Sequence, residues 1–278
     1  MEYKLVIGII SCKKYTDNQD VIRNTWLKNY NNPNIDIYFV IGDGNNDIVD
    51  DTIELDCKDN YEDLPAKIIS FIKFCYNNFE YDYLFKIDDD CYVNFENLEK
   101  LDLFDIDYSG HVINKRSFDP QWHVGKCTDE ELNNTIYNGK SINNRCSGPG
   151  YVLSNYATRV IIDNYSDYDV ESELYEDKLI ADILADNEIY PVTNKKILYP
   201  NILYRNHSKY CIIHLDNSKK GLIKRMLKVH YIITNQNIEG FSKNNNNVLI
   251  ILILVALAIY NRNKLFNNSN TFTNTSLD

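Results

Sequence analysis

The chain has 278 residues, 44% of them hydrophobic, which is enough apolar material for one sizeable core at a length between one and two domains. A formal net charge of -11, with lysine and arginine nowhere gathered into a stripe, argues against a nucleic-acid partner, which needs a basic face. Seven cysteines, at positions 12, 57, 75, 91, 127, 146 and 211, have neither CxxC pairing nor the density of a disulfide-built miniprotein, so a zinc framework is set aside. Cys127 and Cys146 flank a polar loop and could bridge in an oxidising compartment; buried free thiols are the alternative.

Tyr3 to Ile10 is a run of strand-forming residues that starts the folded domain at the N-terminus, with no signal segment before it. Val21 to Tyr30 predicts a helix, and Ile35 to Ile41 a second strand closed by Gly42-Asp43-Gly44. Leu64 to Phe79 is an amphipathic helix with Ile68, Ile69, Ile72, Cys75 and Phe79 on one face. Tyr83 to Ile87 and Tyr108 to Val112 are further strands. The polar, aperiodic stretch from Ser117 to Asn144 predicts a long functional loop or a disordered excursion. In Cys146 to Ser154 a turn bearing Gly148 and Gly150 lets backbone approach a ligand before regular structure resumes. Glu176 and Asp177 then open a helix whose apolar stripe is Leu179, Ile180, Ile183 and Leu184. Strands alternating with helices predict an α/β fold with a mainly parallel central sheet, helices on both faces, and ligands beyond the carboxyl ends of the strands.

The folded domain is expected to span residues 1–235, followed by an Asn-rich linker at 236–247, an apolar segment at 248–260 and a polar tail at 261–278. As a helix the apolar run covers roughly 20 Å against a hydrocarbon core of about 30 Å. Although short, it is apolar all round and isolated between polar flanks, which predicts a membrane partner through a single C-terminal anchor, its orientation unset by Arg262 and Lys264.

The chemistry concentrates where the strand Tyr83-Leu84-Phe85-Lys86-Ile87 runs into Asp88-Asp89-Asp90. Three adjacent carboxylates are too costly to bury without a cation, so the triplet belongs at a strand exit, open to a divalent metal. A solvated acidic loop is the bland reading of such a triplet. A calcium loop starting at Asp88 fails because Tyr92 occupies a ligand position and Val93 stands where glycine must turn the chain. Glu176 and Asp177, taken alone, are dipole-favourable charges in a first helical turn.

In order, these segments resemble the beta-1,3-galactosyltransferase, beta-1,3-N-acetylglucosaminyltransferase and Fringe family, glycosyltransferase family 31. Val21 to Trp26 is similar to its IRxTW element, Tyr38 to Gly42 to its second strand, and Tyr61 to Lys67 more weakly to its YxNLTxK segment. Phe85 to Asn94 resembles KxDDDxxVN, Cys146 to Ser154 resembles CSGxGYVLS, and Tyr175 to Lys178 resembles the acidic EDV element. The resemblance implies a GT-A type, Rossmann-like nucleotide-sugar transferase fold at 1–235 and an enzyme that moves a hexose or N-acetylhexosamine from a UDP-sugar to a hydroxyl of a glycan or glycoprotein, with inversion and a beta-1,3 linkage. It implies Mn2+ or Mg2+ on Asp90, with a late histidine as second ligand; His214 is the best candidate, and His207 and His230 are poorer ones. Asp88 and Asp89 would hold the ribose and sugar side of the donor, Arg23 would lie near diphosphate or uracil, and Gly148 and Gly150 would line the site. Asp177 would be the general base, and Trp122 a platform for a sugar ring. Lys178 after Glu-Asp and Pro149 in the glycine turn depart from the family pattern. A catalytically inactive UDP- or sugar-binding protein of the same fold, and a glycoside hydrolase, are the alternatives.

Overall fold

The computed structural model describes residues 3–139, 143–197, 209–215 and 221–235. Residues up to Ile233 form one compact unit. His207, the linker, the apolar segment and the tail lie outside the described residues, and among those described no helix is long and apolar enough to cross a membrane.

The chain runs through β1 (Leu5–Ile10), α1 (Thr16–Asn24), β2 (Ile35–Ile41), β3 (Asp47–Val49), β4 (Thr52–Glu54) and α2 (Leu64–Asn78). It continues with β5 (Tyr83–Asp88), β6 (Cys91–Val93), α3 (Phe95–Leu98), β7 (Tyr108–Ile113), α4 (Glu130–Asn134), β8 (Arg145–Ser154) and α5 (Asn155–Asn164). Then follow α6 (Glu176–Asp186), β9 (Val192–Thr193), β10 (Ile212–His214) and α7 (Leu222–Asn235). One sheet has the order β3-β4-β2-β1-β5-β8-β7-β9, in which only β3 and β8 oppose the common direction. This is the α/β architecture with a mainly parallel sheet that the alternation predicts.

Every residue of β1 is buried, because successive side chains enter different layers. Leu5, Ile7 and Ile9 pack with Val21, Ile22 and Trp26 of the α1 region, whereas Val6 and Ile10 join the layer built by α2, α5 and α6. Gly8 lies on that second side, where a Cβ would stand 2.1 Å from the Phe71 ring of α2. The absent side chain is what lets the helix seat a fully buried phenylalanine on the central strand.

Two elements differ from the sequence reading. Helix α1 starts at Thr16 and stops at Asn24, well before Tyr30: the Thr25 hydroxyl turns back to donate to the Val21 carbonyl at 2.6 Å, and Asn29 takes a left-handed φ of 61°. The glycine-bearing segment is no free turn. It belongs to β8, which pairs antiparallel with β5 from Tyr83↔Ser154 to Ile87↔Gly150 and so lays its first residues beside the acidic triplet.

A separate two-stranded ribbon pairs β6, directly after the triplet, with β10 in the register Cys91↔His214. The Leu215 amide donates to the Asp90 carbonyl at 3.0 Å. This ribbon brings a histidine from 124 residues downstream to the end of β5.

Candidate active site

The carboxyl ends of β1, β2 and β5 lie side by side, and buried polar contacts lock their exits. Lys67 of α2 forms a buried ion pair with Asp59 and donates to the Ser11 carbonyl after β1 at 3.1 Å. Asp59 in turn accepts from the Gly42 amide after β2 at 2.8 Å and from the Lys13 amide at 2.7 Å. Lys67, to the sequence only a motif member, thus stitches two strand exits together.

The three aspartates have separate environments. Asp89 turns inward and accepts from the Ser11 hydroxyl at 2.7 Å; burial pushes its carboxyl up to about 7 against that hydrogen bond. Asp90 is also buried, with Oδ2 3.2 Å from His214 Nε2. Asp88 is the more open of the three and is paired with Lys86 at 2.7 Å.

Lys86 is the hub of the site. It is 2% exposed, and its ammonium reaches Asp88, the Gly148 carbonyl at 2.5 Å and Glu176 at 2.8 Å. Burial works against the charge, but Asp88 and Glu176 outweigh it and hold the ammonium protonated. One cation between two carboxylates, Glu176 buried and Asp88 partly exposed, leaves the cluster anionic. Burial accordingly raises Asp88, and it pushes Glu176 up to about 7, with Lys86 opposing. Glu176 also accepts from the Tyr151 hydroxyl at 2.8 Å, and a Cβ on Gly148 would lie 3.2 Å from its Oε1. A Cβ on Gly150 would stand 3.3 Å from Ile212 of β10. Both glycines therefore serve close packing of β8 against α6 and the ribbon.

Asp177, one residue on, accepts from Arg145 Nε at 2.8 Å through Oδ2, while Oδ1 has no hydrogen-bond partner among the described residues. Arg145 Nη1 is buried and likewise without one. Sequence reading missed Arg145; its place directly before the Cys146 motif was the available signal. Lys178, the departure after Glu-Asp, is neutralised by Glu173 at 2.7 Å and Asp182 at 3.1 Å.

Arg23 is not brought to this cluster. Its guanidinium grips Asp51 through Nε and Nη2 at 2.7 and 2.8 Å, holding that carboxyl below its usual range, and lies 4.3 Å from the Phe39 ring centroid. Those partners fix it at the β2/β4 side of the sheet. His230 is drawn off as well, its Nδ1 3.0 Å from the Tyr92 hydroxyl. All seven cysteines are free, Cys127 and Cys146 included.

The stretch between β7 and β8 is ordered by His123, which is buried. Its Nε2 faces the Leu132 and Thr135 carbonyls at 3.0 Å and so donates, while Nδ1 accepts from the Tyr175 hydroxyl at 2.8 Å. Phe118, Tyr137 and Tyr175 complete an aromatic cluster at the head of α6. On the flank of α6 lies a cavity of about 500 Å³ lined in part by Tyr137, Glu173, Lys178 and Asp182.

Among the described residues no three His, Cys, Asp or Glu side chains are already gathered as a metal cage. The Asp90 and His214 pair, with Asp88 adjacent, still offers carboxylate oxygen and imidazole nitrogen, a donor set that fits manganese with positions left for ligand oxygens.

An acidic strand exit at the carboxyl edge of a mainly parallel sheet, faced by a carboxylate at the head of a helix, defines a site of the glycosyltransferase class. The chain belongs to the galactosyltransferase family, whose sequence profile matches residues 17–195. No curated protein matches it significantly. Among solved structures it is similar to the apo form of the glycosyltransferase GlyE in Streptococcus pneumoniae TIGR4, with 12% identity and a TM-score of 0.46 over 84% of this chain and 62% of GlyE. It is also similar to an active-site mutant of LgtC, with 11% identity and a TM-score of 0.44 over 86% of this chain and 98% of LgtC. A glycosyltransferase involved in glycosylation of the major capsid of PBCV-1 is 11% identical, with a TM-score of 0.45 over 81% of this chain and 98% of its own.

Proposed function

We propose that this protein is a metal-dependent, inverting transferase that moves a hexose or N-acetylhexosamine from a UDP-sugar to a hydroxyl of a glycan or glycoprotein, forming a beta-1,3 linkage. Family membership supports glycosyl transfer. The observation that carries the finer reading is the pairing of Asp90 Oδ2 with His214 Nε2 at 3.2 Å, on a triplet that Lys86 ties to the helix bearing Asp177.

Asp90 and His214 would hold the divalent cation, which when bound supplies charge neutralisation for the departing diphosphate. Asp88 remains the open carboxylate beside it for a hydroxyl of the donor. Asp177 keeps Oδ1 for the acceptor: as the acceptor oxygen bonds to the anomeric carbon, the bond from that carbon to the phosphate oxygen breaks with its electron pair leaving on UDP, and the hydroxyl proton passes to Asp177. With Glu176 committed to Lys86 and Tyr151, the cluster offers one free base, so a single displacement inverts the anomeric centre.

Calorimetric titration of the protein with UDP, with and without manganese, tests this reading. Binding should require the metal and be lost in Asp90→Ala; metal-independent binding, or binding retained in that variant, would remove the triplet from the donor site.

A further inference from the structure

The cavity on the flank of α6 is unused by the mechanism, yet its wall begins one residue from the base. Lys178, which lines it, directly follows Asp177 in the first turn of the helix. Side-chain contacts tie the cavity and the base together. Asn143 donates to Asp182 Oδ1 at 2.9 Å on the cavity side, and Arg145, two residues on, holds Asp177 Oδ2 at 2.8 Å. The Tyr137 ring, which lines another wall, has its centroid 5.0 Å from that of Tyr175. Phe118 in turn lies 5.0 Å from Tyr175 and 5.4 Å from the Arg145 guanidinium. Cavity and base thus share one aromatic partition and the start of one helix.

The polar groups of the cavity divide into a brace and a contact pair. Glu173 is saturated: Oε1 accepts from the Leu174 and Tyr175 amides at 2.9 and 3.0 Å, and Oε2 from the Tyr137 hydroxyl at 2.8 Å and from Lys178 at 2.7 Å. It fixes the walls. Asp182 accepts only from Asn143 and Lys178 among the described residues and stays 13% exposed, so lone pairs are left for donors that arrive with a ligand. Three carboxylates, Asp169, Glu173 and Asp182, against the one ammonium of Lys178 make the lining anionic. That balance repels phosphates and uronates and suits the hydroxyls of an uncharged sugar. The volume of about 500 Å³ falls in the range of roughly 300–1,000 Å³ of small-ligand sites. Ring surface comes from Tyr137. Trp122 does not line the cavity, and the Lys126 ammonium, 3.7 Å from its ring centroid, takes the face expected to carry a sugar.

We propose that this cavity is an acceptor subsite, which holds a neutral sugar unit of the glycan next to the one whose hydroxyl reaches Asp177, with Asp182 and Lys178 as its specificity-determining pair. The proposal deepens the transferase reading and rests on Asp177 as the base. Lys178, the departure from the family pattern, thereby acquires a role particular to this chain.

The test is saturation-transfer NMR on the full chain with the methyl glycosides of galactose, N-acetylglucosamine and mannose, and with methyl glucuronide as the charged control, for the wild type, Asp182→Ala, Ser172→Phe and Asp90→Ala. Asp182→Ala leaves Lys178 its pair with Glu173, and Ser172→Phe fills the cavity from an exposed lining position, so neither variant strips a buried charge of its last partner. At least one neutral glycoside should bind, and the glucuronide should not. Affinity for that glycoside should fall about 10- to 100-fold in Asp182→Ala, the range for a hydrogen bond to a charged group, be lost in Ser172→Phe and stay unchanged in Asp90→Ala. Undiminished binding in either cavity variant, loss in Asp90→Ala, preference for the glucuronide, or no binding of any neutral glycoside would each overturn the subsite. Calorimetry of the same proteins with UDP and manganese separates the two readings. UDP affinity equal in wild type and Asp182→Ala, beside the loss of glycoside, supports the subsite; no UDP binding by the wild type would overturn the transferase reading and the acceptor role with it.

Discussion

Replacing Lys86 by methionine keeps the volume of the side chain and deletes the one charge that joins β5, β8 and α6. The partly exposed Asp88 and the buried Glu176 then lose the cation they share, and the Gly148 carbonyl loses its donor. Removing one partner of a buried pair costs about 3–5 kcal/mol. At about 2–4 °C per kcal/mol for a domain of this size, the melting temperature should fall by roughly 6–20 °C. The pH dependence gives the sharper signature. Glu176 is already pushed up to about 7 with Lys86 present, and Asp88 is raised as well; without the ammonium both rise further above their unfolded values. A carboxyl whose folded pKa exceeds its unfolded value takes up a proton in the folded state first, so stability is regained as pH falls through the folded pKa. The deficit of Lys86→Met against wild type should therefore be largest near pH 8 and shrink by pH 5, and adding Glu176→Gln should restore part of it at pH 8. Thermal and urea melts of the metal-free proteins at both pH values measure this. A deficit under about 1 kcal/mol, or one identical at pH 5 and pH 8, would refute the view that Lys86 neutralises buried carboxylates.

Asp177→Asn should leave manganese-dependent UDP binding intact and lower transfer by about 10²- to 10⁴-fold, the usual range for a lost general base; full transfer by that variant in a UDP-release assay would move the base elsewhere. Arg145→Gln should lower kcat by up to about 100-fold with little change in KM for the donor, because it frees the carboxylate it orients without touching the nucleotide side. A rise in KM alone would make Arg145 a binding residue.

The sheet was legible because its strands are apolar runs with sharp polar exits. The boundaries of β2 follow directly from Ile35 to Ile41, and the triplet marks the end of β5 because three carboxylates cannot continue a buried strand. The ribbon was harder to see: three residues at Ile212 to His214 carry no periodicity, and their partner lies at Cys91 to Val93, a pairing that only the folded chain defines. His214 was named from a resemblance, and its proximity to Asp90 follows from that register. The pairing of Arg23 with Asp51 was hidden for a related reason. A lone arginine on a helix does not reveal its counter-ion, and Asp51 sits in a loop whose hairpin, β3 and β4, is too short to stand out. His123 and Arg145 went unnoticed because each acts through one partner that is distant in sequence, Tyr175 and Asp177.

The ribbon also bears on when the site comes into being. The profile of the family ends at residue 195, and by then the chain has supplied the triplet, the glycine strand and the helix with Asp177. The histidine arrives only with β10, whose last residue is at 214. During synthesis the triplet, the glycine strand and the helix with Asp177 leave the ribosome before β10 does, so a chain interrupted in between carries the family signature but lacks the histidine that faces Asp90. The contact between Asp90 and His214 therefore forms only after the rest of the strand exit is in place, when β10 closes the ribbon on β6.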